Sequence, residues 1–110
     1  MDEVSFKLRS TLDFSHAYTI EWHDFDNTMQ ITFEDTNKMY KMVDDMINNQ
    51  TRFTARIEVL HEDKIVRYYQ LALLPLKITG QTLHSEGYLS SLIVTFKIIS
   101  SDLVFIGDDE

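Results

Sequence analysis

A chain of 110 residues with 44% apolar and 12% aromatic side chains has material for one core and too little length for two ordinary domains, so global disorder and a multidomain reading are both excluded. Ten basic against 18 acidic residues leave a formal charge of −8, which repels nucleic-acid phosphates and anionic headgroups and disfavours either as a whole-surface partner. The absence of Cys removes disulfides, thiolate zinc sites, iron–sulfur ligation and cysteine nucleophiles, and suits a reducing compartment.

The start Met1-Asp2-Glu3 is acidic where an export signal would be basic, and no run approaches the ~20 apolar residues of a membrane span. The expectation is a soluble protein that is not exported. Period-two alternation marks the first strands. Val4, Phe6 and Leu8 alternate with Ser5, Lys7 and Arg9, and Tyr18, Ile20 and Trp22 alternate with Thr19, Glu21 and His23. After a turn favoured by Asp24, Asp26 and Asn27, Met29, Ile31 and Phe33 alternate with Gln30, Thr32 and Glu34. The period then becomes helical. Met39, Val43, Met46 and Ile47 recur on one side and Lys38, Lys41, Asp44, Asp45 and Asn48 occupy the other, which predicts a helix over roughly 36–49. Asp35 or Thr36 is expected to cap its start, and Asn48-Asn49 to supply the left-handed exit.

Alternation resumes with Phe53, Ala55, Ile57 and Val59, a polar turn at 61–64, and a return strand over 65–74 that completes a hairpin. Pro75 has no N–H for a ladder and is expected to end that strand or mark an edge. A segment over 76–83 then leads to a turn around Ser85, Glu86 and Gly87, a long strand over 88–99 and a short last one over 103–106. One Pro and three Gly in all leave no linker on which to divide the chain. Residues 1–106 are expected to form one domain and 107–110 a solvated acidic tail. The fold class is α+β: mainly antiparallel β-sheet, sandwich-like or barrel-like, with one α-helix covering an opening.

The segment 65–74 breaks the pattern of a strand with one buried face. Ile65, Tyr69, Leu71 and Leu73 make one phase apolar, and Val66, Tyr68, Ala72 and Leu74 make the other. Leu92, Val94, Phe96 and Ile98 against Ile93 and Ile99 show the same doubling. Two readings are open. Either these are central strands covered on both sides, or part of the surface is completed by a neighbouring subunit, because a small domain hides only a limited share of its apolar area. The second reading makes Val66, Tyr68, Ala72, Leu74 and Ile93 candidate subunit-interface residues.

The residues offer little catalytic chemistry. His16, His23, His61 and His84 are scattered, with no H-E-x-x-H or H-x-H spacing. Glu21 and His23 share a strand face and form the densest polar cluster with Asp24 and Asp26, which a polar face ending in an Asx turn also explains. Asp44 and Asp45 are helix neighbours whose side chains diverge by about 100°. There is no nucleophile elbow and no phosphate-cradling glycine loop. Arg52, Arg56 and Arg67, near Phe53, Tyr68 and Tyr69, form a candidate single-strand nucleic-acid platform if they share a face; pairing with Glu58 or Glu62 is the alternative. Met39, Met42 and Met46 along the helix read as core. No catalytic, cofactor or metal site is expected, and neither is an enzyme.

The order of features does resemble a known family. Gln30-Ile-Thr-Phe-Glu, a helix carrying Tyr40 and Ile47, Phe53-Thr-Ala-Arg-Ile-Glu-Val, Val66-Arg-Tyr-Tyr-Gln-Leu, Gly87-Tyr-Leu, Ile93-Val-Thr-Phe and Ser101-Asp-Leu-Val-Phe resemble the N-terminal domain of siphophage distal tail proteins and related tail-tube proteins. The likeness runs over about residues 29–106, with Phe105 where such proteins often carry Trp. It implies a virion structural protein, assembled in the host cytoplasm into a homo-oligomeric, usually hexameric, ring of a tail or tail-like particle. Its implied partners are other tail or baseplate proteins, with DNA passing through the channel unbound and no membrane contact. An acidic lumen suits that passage, since like charges do not stick. The alternative from another class is an acidic binding module, either an inhibitor mimicking DNA charge or a chaperone-like client binder.

Overall fold

A computed structural model of the chain describes residues 4–86 and 90–107. Its elements in chain order are β1 (Val4–Ser10), β2 (Ala17–His23), β3 (Thr28–Glu34), α1 (Asn37–Asn49), β4 (Phe53–His61), β5 (Lys64–Thr82) and β6 (Ser91–Phe105). All six strands join one antiparallel sheet in the order β1-β4-β5-β6-β3-β2. The sheet curls into a half-barrel around one helix, so the α+β, mainly antiparallel architecture read from the sequence is the one adopted.

The alternating apolar residues decide which face is concave. Met29, Ile31 and Phe33 of β3, Phe53, Ala55 and Ile57 of β4, Leu71 and Leu73 of β5, and Leu92, Val94, Phe96 and Ile98 of β6 form one buried cluster with Met39, Val43 and Met46 of α1. Phe96 stands at its centre, edge-on to Phe33 and Phe53 at 6.4 and 5.7 Å between centroids. The link from Ser10 to Ala17 crosses the concave side between the two outer strands. A flat six-stranded sheet would set those strands about 24 Å apart, close to the full stretch of this link, about 25 Å. Curling shortens the gap, and Phe14 drops from the link to within 5.3 Å of both Phe33 and Phe53.

The helix starts as its composition predicts. Thr36 is the N-cap, its side-chain oxygen accepting from the Met39 N–H at 3.1 Å. Its end differs from expectation: the left-handed residue is Gln50 (φ 51°), one position beyond the two Asn, and its N–H caps the carbonyls of Met46 and Ile47. In the β4–β5 hairpin His61 pairs with Lys64, and both intervening residues, Glu62 and Asp63, have positive φ (51° and 66°). This is the handedness that matches the twist of the strands.

Pro75 marks an edge, the second of its two expected readings, and does not end its strand: β5 continues to Thr82 and pairs with β6. The reason is that β4 stops opposite Leu73, so a Pro just past that point meets no β4 strand that needs its N–H. The last strand is likewise not separate, because residues 103–105 continue β6 without interruption. Ser85 and Glu86 of the predicted turn form a bend; its Gly87, the predicted strand start at Tyr88 and the acidic residues 108–110 lie outside the described residues.

Candidate interaction surface

The two phases of the anomalous segment have different fates. Leu71 and Leu73 are 1% and 0% exposed beneath α1. The opposite phase points outward. Tyr68 lies between Glu58 and Val104, Ala72 between Thr54 and Ser100, and Leu74 beside Lys97, so these residues share the convex face. Val66 is the unpaired residue of a bulge, between Ile65 opposite Leu60 and Arg67 opposite Val59. Ile93 faces the convex side from β6, opposite Thr32 and Gly80. A Cβ at Gly80 would come 3.3 Å from Ile93 Cδ1, so a side chain there would crowd Ile93.

All five candidate interface residues, Val66, Tyr68, Ala72, Leu74 and Ile93, are half-buried. The sheet and α1 are the only layers among the described residues, and α1 lies on the concave side. The apolar residues are set among polar ones. The Arg56 guanidinium stacks over the Tyr68 ring at 4.1 Å and its Nε donates to Gln70 Oε1 at 3.4 Å. Arg9 Nε donates to Glu58 Oε1 at 2.6 Å, which gives that carboxylate, only 6% exposed, the partner its burial requires. Thr79 and Thr95 share a hydrogen bond of 2.5 Å between β5 and β6.

Sheet edges extend this surface. β3 pairs with β6 only as far as Lys97, and β4 pairs with β5 only as far as Leu73. β5 therefore outruns β4 at one end of the sheet and β6 outruns β3 at the other. Along the distal half of β6 the apolar residues Ile99, Leu103, Val104 and Phe105 are exposed on both phases. Period-two reasoning missed this exposure, because it depends on where the neighbouring strand stops.

The polar candidates do not converge. His23 Nε2 lies 3.6 Å from Glu21 Oε2 on β2, and His23 lines a groove with Phe25, Gln30 and Lys77 that Glu21 does not share. Asp44 and Asp45 are exposed on α1. Asp13, Ser15 and His16 line one groove beside β1, yet each is engaged elsewhere. Ser15 Oγ donates to the Glu34 carbonyl at 2.5 Å, the His16 ring meets Tyr18 edge-on, and Asp13 accepts from Lys38. That lysine holds the Asp13 carboxyl below its ordinary value, first through the hydrogen bond and then through its charge. The proposed arginine platform does not form: Arg56 is on the convex face, whereas Arg67 pairs in register with Val59 and Phe105 on the concave side, its Nε 3.4 Å from Tyr69 Oη. Glu58 pairs with Arg9 rather than with Arg52, Arg56 or Arg67. Among the described residues no cluster of three or more His, Asp or Glu is placed to hold a metal ion.

Compared with known proteins, the chain matches no family model, no curated protein and no solved structure.

Proposed function

We propose that this chain is a non-enzymatic structural subunit that acts by self-assembly, its convex sheet face sealed by neighbouring copies. The assembly is a ring of a phage tail or tail-like particle, a distal-tail, tube or connector component around a DNA channel. The observation that carries this reading is the convex face itself: Tyr68, Ala72, Leu74 and Ile93 lie on one side of the sheet, with Val66 at the adjoining bulge, and among the described residues no second layer covers them. Apolar residues gathered on an uncovered face mark an interaction site far better than the same residues scattered singly. The charge of −8 keeps free subunits soluble before assembly and lines a channel that phosphates pass without binding. The particular ring rests on the sequence resemblance to distal tail and tail-tube proteins.

Size-exclusion chromatography with light scattering, followed by electron microscopy of the main species, tests this. Closed rings of identical subunits are expected, and Tyr68→Glu or Val66→Glu should yield a folded but dissociated chain, because an unpaired charge on a desolvated contact face has no partner. A particle of unchanged size in folded Glu variants removes these positions from the contact. Compact monomers that instead bind a nucleic-acid enzyme stoichiometrically support the charge-mimic alternative.

A further inference from the structure

We propose that the distal half of β6 is a self-pairing edge: residues 100–106 of two copies join as antiparallel strands about a twofold axis, with Leu103 opposite Leu103 of the partner subunit. This rests on the reading of the chain as a self-assembling subunit and names one of its contacts.

The last bond between β6 and the β3 side is from the Ile98 N–H to the Asn27 carbonyl, 2.8 Å. Beyond it β6 pairs with β5 alone. The Ile106 N–H donates to the Val66 carbonyl at 3.1 Å, toward β5. Because the backbone groups of an antiparallel strand alternate sides, those of Asp102 and Val104 also face β5, and those of Ser101, Leu103 and Phe105 face outward. The apolar side chains at its end are open: Leu103 is 46% exposed, Phe105 71% and Ile106 54%.

Such an edge is ordinarily blunted by charge, Pro or bulges, and the other edges of this sheet are. The free part of β5 carries Pro75 and Lys77 and shifts register twice, at Pro75/Lys77 and Ile78/Gly80. β1 presents Lys7 and Arg9, and β2 presents Glu21 and His23. Residues 100–106 contain no Pro, no Gly and no base, and Asp102 is their one charge.

A second copy fits this edge by symmetry. A twofold axis normal to the sheet makes the added strand antiparallel and keeps each face continuous. It also requires that opposed residues share a phase, which limits the centre to single residues. Centring on Asp102 opposes two carboxylates, which repel. Centring on Ser101 drives Phe105 of the partner subunit to the side of Lys97, where Thr28 of β3 already pairs. Centring on Leu103 avoids both: Ser101 faces Phe105 of the partner subunit, Asp102 faces Val104 of the partner subunit, and every outward N–H meets an outward carbonyl. A twofold contact of this kind combined with a head-to-tail contact on the convex face generates paired rings.

The chain has no Cys, so a single introduced thiol reports the contact cleanly. In this register the two 103 positions form a hydrogen-bonded pair about 5.5 Å apart at Cα, within disulfide reach. Leu103→Cys under mild oxidation should give a disulfide-linked dimer at least tenfold faster than Tyr40→Cys on the exposed side of α1. Leu103→Pro removes an outward N–H and no bond to β5, so it should keep the native circular dichroism spectrum while weakening the contact at least tenfold by sedimentation. Cross-linking no faster than at position 40, or undiminished pairing in folded Leu103→Pro, overturns the proposal. Should Leu103→Pro not fold, the cross-linking rate alone decides. Assemblies that persist without cross-linking at 103 overturn this edge and leave the self-assembly reading standing; a wild-type chain that stays monomeric overturns both.

Discussion

The rings of Trp22 on β2 and Tyr69 on β5 meet edge-on with centroids 4.9 Å apart, although β6 and β3 lie between their strands in the sheet order. Only a curled sheet brings them together, so this contact closes the concave side at the end away from Phe14. A double-mutant cycle of Trp22→Ala and Tyr69→Ala should give a coupling of about 0.5–1.5 kcal/mol in urea unfolding. Trp22 is the one Trp in the chain, so the Tyr69→Ala variant should also shift native fluorescence toward longer wavelength. Additive losses and an unchanged spectrum would mean the rings do not interact in solution.

The concave and convex faces should respond oppositely to mutation. Phe96 is fully buried between Phe33 and Phe53, and Phe96→Ala should cost about 3–5 kcal/mol, measured by chemical denaturation. Tyr68→Ala on the convex face should cost under about 1.5 kcal/mol in the dissociated chain, where it loses the Arg56 stack, and should affect assembly more than folding.

The β4–β5 turn holds two residues other than Gly or Asn in the left-handed region, Glu62 and Asp63. Left-handed backbone costs an ordinary residue about 1–2 kcal/mol. The double substitution Glu62→Asn, Asp63→Gly should therefore raise stability by about 1 kcal/mol, visible as a higher melting temperature with no change in oligomer size.

Much of this architecture was legible in the residues. The change of period at Met39, Val43 and Met46 marks the one helix, and the alternation in Met29–Phe33 and Phe53–Val59 marks strands whose buried phase is the observed one. What stayed hidden depends on partners in space. Whether Pro75 breaks a strand turns on where β4 ends, which no local pattern near Pro75 records. Arg56 and Arg67 look like neighbours of one basic surface, yet the register shift between Val59 and Leu60 places them on opposite faces. The two apolar phases of 65–74 were visible, but not that Leu71 and Leu73 go under the helix while Tyr68 and Ala72 stay outside. That choice follows from the curl of the sheet.

Acid should affect the Asp13–Lys38 pair in one direction only. The lysine holds the Asp13 carboxyl below its ordinary value, so the folded state binds that proton less readily than the unfolded chain. Its contribution is fully present above the unfolded value and is lost as pH falls through the lowered one. Both side chains are largely exposed, so the effect is small. Asp13→Asn should leave the urea unfolding midpoint essentially unchanged at neutral pH, and the variant and wild type should converge as the medium becomes strongly acidic. A large loss at neutral pH would show that the pair anchors the 11–16 link.

The most direct test of the central claim is the mass of the native particle by light scattering across a wide concentration range. The account predicts a discrete multiple of the 12.9 kDa subunit that dissociates when Tyr68 is replaced by Glu. A particle of one subunit mass at every concentration, in dilute and in concentrated salt, would contradict it.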